Sequence, residues 1–120
     1  MHLQRSFVII KDNFMITYDD FSKIELKVAK ILQAERVENS EKLIKLKIKV
    51  GEKEKQIVAG IGKFYKPEDL INKLIVIVDN LEPKKLMGLE SQGMLLAASN
   101  ENELSLIIPD KEIKDGSQIK

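Results

Sequence analysis

Lys84 and Lys85 stand side by side in a stretch, Leu81–Met94, that also holds Gly88, Ser91, Gln92 and Gly93. Such residues suit the holding of a polyanion rather than the making or breaking of bonds. Ammonium groups contact phosphate oxygens, while hydroxyl, amide and glycine backbone N–H groups can position a sugar–phosphate chain. The plainer alternative is a charged connection between two buried strands. A second cluster, Asn39–Ser40–Glu41–Lys42, adds another lysine, although asparagine and serine equally favour an ordinary turn. A third set, Lys45, Lys47 and Lys49, recurs at every second residue. On a strand that spacing makes one outward stripe, and outward lysines are commonly a solvated face that discourages edge pairing.

Bond-making chemistry has little to work with. Cysteine is absent, which removes disulfides, thiolate metal sites and a thiol nucleophile. The single histidine, His2, lies beside the terminus, so neither a histidine triad nor a zinc site can be assembled around it. Gly60 and Gly62 flank Ile61, but no glycine-rich nucleotide-binding pattern follows them. Glu82 and Glu90 offer two carboxylates with nothing in the sequence to bring them together as acid and base. We expect no catalytic residue, no metal and no cofactor.

The elements that must carry these loops are strands. Ile24, Leu26 and Val28 alternate with Lys23, Glu25 and Lys27, the period of two of a half-buried strand. The alternation falters at Ala29–Leu32, where a bulge would bend a long first strand. Ile44, Leu46, Ile48 and Val50 alternate with the lysine stripe, Gly51–Lys53 supplies a turn, and Gln56–Ile61 reads as the returning strand of a hairpin. Pro67–Leu70 opens a short helix, with proline in its first turn and two carboxylates near the positive end of its dipole. Leu74–Val78 is apolar and β-branched throughout, as befits a strand covered on both sides. Asp79–Gln92 reads as a polar loop, Met94–Ala98 and Leu104–Ile108 as further strands, and Lys111–Lys120 as a polar tail. Three strands, a helix and two more strands is the order of an OB-fold. The expected class is therefore all-β, a five-stranded OB barrel with one short helix and a C-terminal extension.

At 120 residues, 43% of them hydrophobic and 32% charged, the chain is sized for one globular domain with one core. Net charge is only +1, so any polyanion partner must be held by local placement of lysines. Six aromatic residues are present, none of them on the second or third strand, which disfavours generic single-strand binding by base stacking. Apolar runs such as Leu74–Val78 fall far short of the roughly 20 residues a membrane helix needs, and the expected setting is cytoplasmic, with no membrane partner. Residues 1–17 read as an N-terminal extension, with Met15 as an optional internal start, and 18–120 as the folded domain.

The two lysine loops and their flanking strands resemble the tRNA-binding domain found in methionyl-tRNA synthetase C-terminal extensions and beta subunits, and in stand-alone dimeric tRNA-binding proteins. The resemblance is carried by Asp20–Phe21, Ile24–Val28, Lys30–Ile31, Asn39, Lys42–Leu43, Gln56–Ile61 and Tyr65. Its most specific blocks are Pro83–Gly88 and Glu90–Met94. It implies an OB core whose C-terminal segment makes a homodimer, and shape-directed recognition of tRNA. Carried over by position, Asn39 and Lys42 would contact RNA from one loop, and Lys84, Lys85, Ser91 and Met94 from the other, with Gly88 and Gln92 shaping it. The chain departs from the family's pattern in three places. Val37–Glu38 stand where His-Pro is common, Lys84 where arginine is common, and Met87 where some members carry a base, so affinity should be modest. The function implied is non-catalytic binding of tRNA, in trans with methionyl-tRNA synthetase or as its beta subunit. The rival is a dimeric chaperone on the same fold that binds unfolded peptides, and a third reading is an assembly subunit for which RNA is secondary.

Overall fold

The structure, a computed structural model, describes residues 14–120. Most of the extension expected at the N-terminus, His2 included, lies outside the described residues. The described chain begins with a five-residue helix, α1 (Tyr18–Ser22), whose N-terminus is capped by Thr17: its hydroxyl accepts from the Asp20 N–H at 3.1 Å.

Three long strands follow: β1 (Leu26–Arg36), β2 (Ile44–Val50) and β3 (Lys53–Ala59). After a 3-10 turn at Pro67–Asp69 come β4 (Leu74–Val78), β5 (Lys84–Leu86), β6 (Leu89–Ser91), β7 (Met94–Leu95), β8 (Ala97–Ser99), β9 (Leu104–Leu106) and β10 (Gln118–Ile119). The main sheet runs β3-β2-β1-β4-β7, with β10 added to β1. All the pairings are antiparallel. This is the all-β, OB-like architecture expected.

β1 serves two neighbours in succession. Its first half pairs with β4 (Leu26↔Val78 to Lys30↔Leu74) and its second with β2 (Lys30↔Lys49 to Arg36↔Ile44). The register slips between Ile31 and Gln33, so the anticipated bulge is present and marks the bend. At the bend the Ile31 N–H donates to Lys73 O and its carbonyl accepts from Asn72 N–H, which seats the 3-10 segment on the strand.

The core is formed by Ala29 and Ile31, Ile44, Leu46 and Ile48, Ile57, Ile75 and Ile77, closed by Leu70, Leu95 and Leu106. The phase of β1 therefore differs from a reading based on Leu26 and Val28. Ala29 and Ile31 face inward, and Lys27 shares their face. Val28 is buried outside the core cluster, where the tail runs along β1, with its N–H donating to Ser117 O and its carbonyl accepting from Gly116 N–H. Apolar residues on both faces of β1 hid which face was the interior.

Lys27 reaches the Asp79 carboxylate at 3.1 Å, and Lys55 of β3 reaches it at 2.7 Å. This triad ties β1, β3 and the end of β4 together. Burial pushes the Asp79 carboxyl up, but the hydrogen bonds and charges of Lys55 and Lys27 more than reverse this and hold it below the usual carboxylate value.

Two expectations are corrected, and the tail gains a definite seat. The short helix at Pro67–Leu70 is a single 3-10 turn, too short to present a helical face. The loop Asp79–Gln92 contains a hairpin, β5–β6, with Leu86 opposite Leu89. The tail 111–120 is bound to the barrel: the Asp115 carboxylate accepts from Gly51 N–H at 2.7 Å and pairs with Lys49, and β10 then pairs with β1.

Candidate nucleic-acid interface

The first lysine loop, between β1 and β2, is built on a close backbone approach. Asn39 takes a left-handed conformation, φ 66°, which asparagine tolerates well. The Ser40 hydroxyl accepts from Leu43 N–H at 3.0 Å, turning the chain into β2. Beneath the loop, Gly62 N–H donates to Lys42 O at 2.7 Å, while the Arg36 guanidinium donates to Gly62 O at 2.9 Å and to Glu41 O at 3.4 Å. A Cβ on Gly62 would stand 2.6 Å from Glu41 O, so no other residue fits there without moving the loop. The glycines that suggested a nucleotide cradle thus serve this approach, since the Lys42 stem also lies against Gly60. Asn39 and Lys42 are both left exposed.

The second loop is the β5–β6 hairpin. Its turn places Met87 at φ 50° and Gly88 at φ 81°, the two positive values that a two-residue type I′ turn requires. Gly88 fits without strain, whereas Met87 takes an uncommon conformation for a residue of its type. Lys84 and Lys85 lie on the exposed strand, opposite Ser91 and Glu90.

Ser91 and Gln92 turn inward. The Ser91 hydroxyl is buried, accepts from Val58 N–H at 3.0 Å and donates to Gly93 O at 3.1 Å. The Gln92 side-chain carbonyl accepts from Gln56 N–H at 2.9 Å, and Gln92 N–H donates to Gln56 O at 2.7 Å. The Gln56 amide in turn donates to Glu90 O. These bonds join β3 to the segment leading into β7 and suspend the hairpin from the barrel wall. Met94 follows in β7, half exposed and opposite Val78.

The two loops meet. A cleft of about 500 Å³ is lined by Val37, Glu38 and Asn39 on one side and by Met87 and Leu89 on the other, with Arg36 and the Glu35–Lys45 ion pair completing it. Asn39 is therefore brought to the hairpin tip, and Lys84 and Lys85 stand on the hairpin's outer strand. Lys42 sits toward Gly60, outside the cleft lining. Met87 was noted in the sequence only as a missing base, and its place in the lining follows from the turn. Arg36 and Gly62, which fix the first loop, gave no signal beyond residue type. Glu38, one of the two residues standing where His-Pro is common, brings a carboxylate with no ion-pair partner among the described residues to the cleft.

The ion pairs sort the lysines. Lys45 is held by Glu35 at 2.8 Å, Lys47 by Glu54 at 3.5 Å and Lys49 by Asp115 at 3.3 Å, so the stripe is largely neutralised. Lys42, Lys84 and Lys85 have no ion-pair partner among the described residues. Among those residues there is also no group of three acidic, histidine or cysteine side chains placed to hold a metal, and no helix is long and apolar enough to cross a membrane. The arrangement offers unpaired charge on two loops flanking a cleft, in the position where OB barrels hold oligonucleotides.

Comparison with known proteins matches residues 26–118 to the family described as "Putative tRNA binding domain". A methionine–tRNA ligase of Caldanaerobacter subterraneus subsp. tengcongensis is 64% identical over 104 residues, 87% of this chain, and one of Thermotoga maritima is 56% identical over the same length. The chain spans 16% of the length of each of these ligases. Among solved structures, a MetRS-related protein of Pyrococcus horikoshii matches at TM-score 0.84 and 38% identity, covering 88% of this chain and 98% of that one. The chaperone CsaA of Bacillus anthracis matches at 0.81 and 34%, covering 88% and 99%.

Proposed function

This chain belongs to the tRNA-binding domain family, and on that premise we propose that it holds tRNA, without catalysing a reaction, for methionyl-tRNA synthetase in the cytoplasm. It does so either in trans or as the synthetase's beta subunit. One observation carries the reading: two loops far apart in sequence meet at one cleft on the barrel, and each carries unpaired lysine just outside the cleft lining. Lys42, Lys84 and Lys85 supply phosphate contacts, and Asn39 and Met94 supply contacts of shape. Gly88, Ser91 and Gln92 set the hairpin's position. So few cations give weak affinity per subunit, and a homodimer would let two sites grip one RNA.

The test is equilibrium binding of bulk tRNA across a salt series. The log–log slope should be a few units, with about 0.7 to 0.9 per phosphate neutralised, and the Lys84→Ala/Lys85→Ala variant should bind more weakly with a shallower slope. A second reading, a chaperone for unfolded polypeptide, is favoured by the CsaA match and by exposed Phe14, Met15 and Tyr18. Binding of unfolded protein without any tRNA binding at low salt would replace the first reading with the second.

A further inference from the structure

A second concavity, about 630 Å³, opens between the turn after β3 and the β8–β9 hairpin. Its most exposed large apolar side chain is Phe64, 49% exposed, beside the partly buried Tyr65 and Leu104. The neighbouring Tyr65 packs against the core, and its hydroxyl accepts from Leu106 N–H at 3.1 Å. Phe64 N–H and Tyr65 N–H both donate to Ile61 O, so the turn that holds the exposed ring is fixed. The facing wall is polar: Ser99, Asn100, Asn102 and Glu103. Asn100 is committed to its own turn, accepting from Asn102 N–H and Glu103 N–H and donating to one Glu103 oxygen. That leaves the Asn102 amide and the second Glu103 oxygen without a hydrogen-bond partner among the described residues. Lys63 and Lys66 flank the ring in sequence, both exposed and unpaired among those residues.

Resting on the tRNA-binding reading, we infer that this groove takes one unpaired nucleotide of the bound tRNA. Its base stacks on Phe64, and its phosphate faces Lys63 and Lys66. Base faces stack on exposed aromatic rings, and amide and carboxylate groups pair with base edges, the carboxylate with an exocyclic amino group. Glu103 in the groove wall repels phosphate, which orients the nucleotide base-inward. The turn that carries Phe64 is tied to the first lysine loop through the backbone, since Gly62, two residues before Phe64, donates its N–H to Lys42 O.

The chain has no tryptophan, so Phe64→Trp places a unique indole in the groove. Its fluorescence should change in step with tRNA binding followed independently by anisotropy of labelled tRNA. Phe64→Ala should lower tRNA affinity on the order of tenfold with an unchanged salt slope, since no charge is lost, and Phe64→Trp should retain affinity. Matching melting temperatures for the variants would show that the fold is intact. A flat indole signal, with Phe64→Ala binding tRNA as tightly as the parent, would overturn the inference while leaving the lysine loops as the tRNA site. Failure of the parent protein to bind tRNA would remove both readings, and an indole response to unfolded polypeptide alone would assign the groove to protein.

Discussion

Ser91 and Gln92 show what residue type conveys and what it conceals. A hydroxyl and an amide in a lysine-rich segment read as groups for a sugar–phosphate chain, and their hydrogen-bonding capacity is indeed used. It is used inward, on Val58, Gln56 and Gly93. The same donors and acceptors serve a ligand or a backbone, and only burial separates the two. Ser91→Ala strands the Val58 N–H in the interior and should cost about 1–3 kcal/mol. Urea unfolding would measure the loss, and tRNA binding at saturating folded protein should keep its salt slope. A shallower slope would mean that Ser91 contacts phosphate after all. Gly62 was likewise visible as a glycine, but its reason, a carbonyl where a Cβ would stand, exists only once β1–β2 and the turn after β3 are folded together.

The elements with strong periodicity were legible. β2 alternates cleanly between core isoleucine or leucine and outward lysine, and the bulge in β1 falls where its alternation breaks. The β5–β6 hairpin was not, because three-residue strands leave no period and Met87–Gly88 lacks the Asn-Gly signature of a tight turn. The ion triad across β1, β3 and β4 was also hidden, since Lys27, Lys55 and Asp79 are remote in sequence. Asp79 titrates below its ordinary 3.8 in the folded chain. Its contribution is therefore fully present above that value and is lost as pH falls below it toward the lowered folded value. Asp79→Asn should destabilise the protein at pH 7 by about 1–3 kcal/mol and flatten the acid side of its stability profile. Denaturant midpoints from pH 7 to pH 2 would check this, and parallel profiles for parent and variant would deny the triad any role.

At the scale of the whole molecule, the OB-like barrel followed from strand order, while the seating of the tail did not, because its polar composition reads as solvent-exposed chain. Ile107, Ile108 and Ile113 remain exposed on the C-terminal segment, which is where a homodimer would hide them. Sedimentation equilibrium should find dimer at micromolar concentration, and Ile108→Lys should shift it toward monomer; a parent that stays monomeric at high micromolar concentration would remove the dimer. The pairing of Leu26 with Ile119 has a further consequence, in the order of synthesis. A growing chain makes β1 early, pairs it with β2 and then β4, and can complete that strand's edge only when residues 117–119 have been made. Until then β1 keeps an open edge to which any passing strand could add. The fold thus seals β1 with the last strand of the described residues, and exposure to misassembly is concentrated in the interval between the synthesis of the two.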